Sequence, residues 1–102
     1  MTQMKLTKEH IHALKGLAHS MKPVLIMGEK GVTESFLAEA ERAIEYHELI
    51  KIRISGDDRE AKKEIAAEIT AALNGVMIQH IGNVITLFKR NHEAPKIFFS
   101  NK

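Results

Sequence analysis

The apolar residues of this chain change their spacing several times along its length, and the order of those changes leaves few folds open. Ile11, Leu14, Leu17, Ala18 and Met21 recur at helical spacing and predict an amphipathic first helix with these five facing the core. Thr7 stands where an N-cap is needed, and Leu6 and Ile11 are placed for a hydrophobic staple. Pro23 biases Lys22 away from helical geometry and ends the element. Val24-Leu25-Ile26-Met27 is a wholly apolar run between Pro23 and Gly28, which predicts a central strand covered on both faces. Val32, Phe36, Leu37, Ala40, Ala43 and Ile44 mark a second helix, with Thr33 as N-cap. Ile50, Ile52 and Ile54 alternate with Lys51 and Arg53, the period of a strand with one buried face. After a turn at Ser55-Gly56-Asp57-Asp58, Ala61, Ile65, Ile69, Ala72 and Leu73 predict a third helix. Asp57 or Asp58 would cap it, and Asn74-Gly75 would supply a left-handed stop. Met77 to Ile81 and Val84 to Phe88 flank Gly82-Asn83, a connection suited to a tight hairpin.

The resulting order, αβαβαββ, predicts an α/β (mixed α+β) fold. Strand-helix-strand crossovers favour parallel neighbours and the closing hairpin must be antiparallel, so a four-stranded mixed sheet packed with three helices is expected. A chain of 102 residues fits one domain that buries its own core. That core is expected over about 5–90, with a tail over 91–102. In the tail, Ile97-Phe98-Phe99 would either add a short strand or pack on the body. Cysteine is absent, which removes disulfides, thiolate metal sites and cysteine nucleophiles and suits a reducing compartment. No apolar run approaches the ~18 residues that span a bilayer, and Met1-Thr2-Gln3-Met4-Lys5 lacks a signal peptide's apolar stretch. A cytoplasmic protein without membrane attachment is expected.

The formal net charge is only +2, so the distribution of charge carries more information than the sum. Residues 1–30 hold five lysines against Glu9 and Glu29, residues 31–75 are acidic in balance, and residues 76–102 are basic again. Lys8, His12, Lys15, His19 and Lys22 form a basic stripe at alternating intervals of four and three, while Glu34, Glu41, Glu45 and Glu48 form an acidic one on the second helix. If the termini meet in the fold, one face turns positive and suits a polyanion. Between the first strand and second helix lies Gly28-Glu29-Lys30-Gly31. Glycines there let an anion approach the backbone, a helix N-terminus adds partial positive charge, and Lys30 adds a full one. Glu29 partly offsets it. The loop lacks both the Gly-Lys-Ser/Thr ending of a nucleotide P-loop and the third glycine of a dinucleotide fingerprint, so no nucleotide cofactor is expected. With Lys22, Lys51, Arg53, Lys89 and Arg90 added, the pattern fits a module that grips single-stranded RNA by its backbone.

Leu14-Lys15-Gly16-Leu17-Ala18-His19, Lys22-Pro23-Val24, Gly28-Glu29-Lys30-Gly31 followed by Val32-Thr33-Glu34, His47-Glu48-Leu49-Ile50-Lys51, and Ile81-Gly82 leading to Phe88-Lys89-Arg90 together resemble the CRM-domain family (chloroplast RNA splicing and ribosome maturation), above all its free-standing bacterial YhbY-type members. The resemblance runs through nearly the whole chain in order. It implies a fold similar to the C-terminal domain of bacterial initiation factor three, RNA binding through the G-x-x-G loop and nearby basic surface, and association with large-subunit ribosomal RNA or its precursor particle. The chain has Asn83 and Phe88 where relatives often carry a basic residue after the hairpin glycine and an aromatic hydroxyl near the strand end.

Catalysis would need a nucleophile, an acid/base pair or metal ligands converging in one pocket. The six histidines are the tempting set, yet His10 and His12 point to different sides of a helix and the others are scattered, so neither an enzyme nor a metal site is expected. The expected RNA-binding set is Gly28, Glu29, Lys30, Gly31, Lys22, Lys8, His12, Lys15, His19, Lys51, Arg53, Lys89 and Arg90, on a monomer. The competing expectation is a protein-interaction module that docks a ribosomal protein or assembly factor through the acidic helix or the apolar tail.

Overall fold

Three side-chain caps mark where the helices begin. The structure, a computed structural model, describes residues 6–97. Thr7 Oγ1 accepts the His10 N–H at 3.1 Å, and His10 Nδ1 accepts the Thr7 N–H at 3.2 Å in return, a reciprocal box that opens α1 (Lys8–His19). Thr33 Oγ1 accepts the Phe36 N–H at 3.0 Å ahead of α2 (Glu34–His47). Asp58, not Asp57, caps α3 (Arg59–Leu73) by accepting the Ala61 N–H at 2.8 Å, and Asn74 closes that helix at φ 54° in the left-handed region, as Asn tolerates. Thr33→Ala is expected to lower stability by about 0.5–2 kcal/mol, read as a shift of the urea midpoint.

The strands are β1 (Leu25–Ile26), β2 (Leu49–Arg53), β3 (Val76–Ile81) and β4 (Val84–Phe88), so the element order is the one the apolar spacing predicts. They form one mixed sheet in the order β1-β2-β4-β3. β1 runs parallel to β2, and the β2–β4 and β3–β4 pairs are antiparallel. Gly82, at φ 58°, turns the β3–β4 hairpin. β1 departs from expectation: it lies at the sheet edge, holds two residues, and leaves Ile26 67% exposed. Its backbone is tied to one neighbour, through Val24 N–H to Lys51 O at 2.9 Å and Met27 N–H to Arg53 O at 2.8 Å.

The sheet divides the core in two. On one face Ile50, Ile52, Ile54, Ile85 and Leu87 pack beneath Phe36, Ala40 and Ile44 of α2 and Ala66, Ile69 and Leu73 of α3. On the other, Leu49, Ile78 and Phe88 pack beneath Leu14 and Ala18 of α1. Each large apolar side chain so buried contributes roughly 1.5–3 kcal/mol. Leu17, expected in the core, is 49% exposed, and Ala72 of α3 is exposed as well. α1 meets the sheet along a narrow seam, so a side chain on its flank stays wet. Ile97 packs against the α1-side core, so this part of the tail lies on the body; Phe98 and Phe99 fall outside the described residues.

Candidate functional site

The loop that follows β1 is a tight turn in which Gly28 O accepts the Gly31 N–H at 3.1 Å. Gly31 sits at φ 79°, a conformation that L side chains rarely adopt and that glycine takes without cost. A Cβ placed at Gly28 or Gly31 would meet no heavy atom within 4 Å beyond its immediate chain neighbours, so this backbone is approachable from outside. The N–H groups of Glu29 and Lys30 donate to no other backbone group among the described residues. Just beyond them Thr33 starts α2, whose N-terminal dipole favours an anion at this end.

The cations expected around the loop divide between the two ends of the sheet. Register places Ile26, the last residue of β1, beside Arg53, the last residue of β2, so Arg53 stands next to the loop and is exposed. Lys30 and Lys22 are exposed too. Lys51 shares a sheet face with Arg53 but is half-buried, and its Nζ donates to Met21 O at 3.2 Å, so part of its role is to hold the α1–β1 connection onto β2. Lys8, His12, Lys15 and His19 are exposed along α1. Lys89 and Arg90 belong elsewhere. β4 runs antiparallel to β2 and pairs Phe88 with Leu49, so both residues emerge at the end of the sheet where β2 begins, about 13 Å from Arg53 at the rise of a strand.

Arg90 is in addition committed to the fold. Glu48, expected on the acidic stripe with Glu34, Glu41 and Glu45, is fully buried while those three are exposed. Its Oε1 accepts from Lys96 N at 2.8 Å, Ile97 N at 2.9 Å and Arg90 Nη1 at 3.1 Å, and its Oε2 from Asn91 N at 2.6 Å. Arg90 Nη1 also donates to Ile97 O at 2.8 Å. Burial pushes the Glu48 carboxyl upward, but the N–H donors of Asn91, Ile97 and Lys96, with the Arg90 charge, outweigh it and hold its pKa below the ordinary carboxylate value. Arg90 is therefore the clamp of the tail, and its placement in the basic face is corrected. Phe88, fully buried under α1, is a core residue, so its lack of a hydroxyl removes nothing from the surface.

Two surface features carried no sequence signal. Arg59, Lys62 and Lys63 of α3 line a basic groove with His80 and Gly82, inside the stretch whose charge balance is acidic. On the opposite sheet face, an exposed apolar row adjoins the loop. Among the described residues no group of three or more His, Asp or Glu side chains is placed to hold a metal ion, and no helix is long and apolar enough to cross a membrane.

Comparison with known proteins gives a consistent picture. The family model described as the CRS1 / YhbY (CRM) domain matches residues 6–89. An RNA-binding protein of Haemophilus influenzae is 43% identical over 81 residues, covering 79% of this chain and 82% of that protein. A probable RNA-binding protein of Pseudomonas aeruginosa is 37% identical over 93 residues, covering 91% and 89%. Among solved structures, a hypothetical protein of Staphylococcus aureus for which RNA binding has been suggested superposes with a TM-score of 0.73 at 28% identity, covering 84% of this chain and 90% of that one.

Proposed function

The chain belongs to the CRS1 / YhbY (CRM) domain family, and on that premise we propose that it is an RNA-binding protein that holds RNA phosphates at Gly28, Glu29, Lys30 and Gly31. Arg53 extends the grip beside the loop, and Lys22, which precedes β1 at the end of that strand away from the loop, extends it together with Lys8, His12, Lys15 and His19 of α1. The observation that carries this reading is the joining, at one end of the sheet, of an approachable glycine backbone, a helix N-terminus and exposed cations. Such a site neutralises phosphates and leaves sequence largely unread. The RNA is large-subunit ribosomal RNA or its precursor particle, and the protein assists ribosome assembly in the cytoplasm as a monomer, without chemistry or a cofactor of its own. The family membership of the chain supports the RNA class; the ribosomal target follows the resemblance described at the outset.

Affinity for fragments of large-subunit ribosomal RNA, measured at several salt concentrations, tests the site. Phosphate-driven binding loses affinity linearly in log salt, and each phosphate contact contributes about 0.7 to the slope on a single strand. Lys22→Ala/Lys30→Ala is expected to weaken binding and to flatten the slope by about 1.4. Salt-indifferent binding, or a variant that binds like wild type, would overturn the loop-centred reading and favour a protein partner. Glu41→Gln/Glu45→Gln should leave RNA affinity nearly unchanged; a large loss there would mean that the faces are reversed.

A further inference from the structure

α1 covers one end of its sheet face and leaves the other open. Leu14 and Ala18 sit over Leu49, Ile78 and Phe88, the end where β2 begins. At the opposite end, register aligns Ile26 of β1, Arg53 of β2, Val84 of β4 and Ile81 of β3 in one row across all four strands. The alternation of side chains places this row on the α1 side, because the neighbours Leu25, Ile52 and Ile85 belong to the core beneath α2 and α3. Ile26 is 67% exposed and Ile81 64%, Arg53 is exposed, and Val84 is half-buried. At the usual strand spacing the row is about 14 Å long. Its β1 end is one residue from the Gly28 to Gly31 loop.

Exposed β-branched side chains in register are an unusual outward face for a small sheet, and their arrangement indicates what covers them. Arg53 stands inside the row and has no ion-pair partner among the described residues. An apolar protein surface, or the same row of a second copy, would strip water from this guanidinium and return no counter-charge. A single RNA strand returns both parts: base faces for the isoleucines and valine, and a phosphate or a stacked base for the guanidinium plane. We propose that Ile26, Arg53, Val84 and Ile81 form a docking platform for the bases of nucleotides adjoining those held at the loop. The platform rests on the reading that the loop grips RNA, and it adds direct contact with bases made by aliphatic side chains and one arginine. Nothing in an aliphatic surface selects one base over another, so the platform favours unpaired RNA without choosing its sequence.

The test compares two probes on the full chain: an unstructured oligoribonucleotide, and inorganic polyphosphate of matched charge, which offers phosphates without bases. Ile26→Ser/Ile81→Ser is expected to weaken oligoribonucleotide binding about five- to tenfold, toward the low end of what base contacts contribute, with its salt slope and its polyphosphate affinity unchanged. Lys22→Ala/Lys30→Ala should weaken both probes and flatten the slope. Both isoleucines are exposed, and an unaltered thermal transition checks that the fold persists. Unchanged oligoribonucleotide binding by the isoleucine variant overturns the platform alone, whereas unchanged binding by the lysine variant overturns the loop reading. Concentration-dependent self-association of wild type that the isoleucine variant abolishes would assign the row to a second copy and overturn the platform as well.

Discussion

Glu48→Ala is expected to remove about 3–5 kcal/mol of stability, the cost of breaking a buried ion pair by deleting one partner. Against a total of about 5–15 kcal/mol for a domain, that is a large fraction. Three consequences meet at this residue. Arg90 is left with its charge largely sequestered, at 13% side-chain exposure. The N–H groups of Asn91, Lys96 and Ile97 lose their acceptor. The backbone at Glu48 also stays at φ 67°, a conformation that costs a non-glycine residue roughly 1–3 kcal/mol and persists only where its surroundings over-determine it. Urea unfolding measures the loss, and amide exchange over 91–97 should quicken first. The double variant Glu48→Leu/Arg90→Met separates a hub from a simple pair. A simple pair replaced by apolar groups is often neutral, but here three backbone donors would remain orphaned, so the double variant should stay well below wild type. Wild-type stability in the double variant would show that the N–H contacts contribute little.

Acid should act through the same carboxylate. The folded-state pKa of Glu48 lies below its unfolded value, so the unfolded chain takes up the proton first as pH falls. The stabilisation is therefore complete above the unfolded pKa of about 4.3 and is lost as pH drops through the lower folded value. Glu48→Gln should begin less stable at neutral pH and lose less on acidification. An acid limb as steep as that of wild type would place the titration elsewhere.

The sequence disclosed what neighbouring residues decide and concealed what topology decides. Thr7, Thr33 and Asp58 are legible as caps because a cap bonds an N–H only three residues on. The order of elements is legible because the apolar period is a local property. β1 misleads because Val24 to Met27 is apolar at every position, and without alternation a strand does not reveal whether a helix covers each of its faces. Glu48 reads as one more acid on a charged helix, since its partners lie 42 to 49 residues away. Lys89 and Arg90 hinge on strand order. Had β3 rather than β4 paired antiparallel with β2, β4 would run parallel to β2 and deliver both cations to the loop end. The observed order β1-β2-β4-β3 sends them to the other end. The loop itself is legible as glycines before a capped helix, whereas the row beside it exists only through register, which no local pattern states.

Phe88→Ala should produce the second large loss, about 3–5 kcal/mol for a buried aromatic truncated to alanine, and its distribution matters more than its size. Phe88 is fully buried in the cluster that fastens α1, together with Leu14, Ala18, Leu49 and Ile78. Leu87, its neighbour, points through the sheet into the larger cluster under α2 and α3. The two positions are adjacent in sequence, share β4 and are equally buried, so they differ chiefly in which helices depend on them. Phe88→Ala should accelerate amide exchange in α1 beyond that in α2 and α3, because the smaller cluster has fewer contacts to absorb the cavity. Leu87→Ala, costing about 2–5 kcal/mol, should loosen α2 and α3 instead. Under conditions where both variants remain folded, the Phe88 variant should also bind RNA more weakly, since the contacts proposed for Lys8, His12, Lys15 and His19 require a docked α1, while the Leu87 variant keeps that stripe in place. Equal exchange in α1 for the two variants would mean that the sheet transmits damage between its faces, and that the basic stripe and the helical layer opposite stand or fall together.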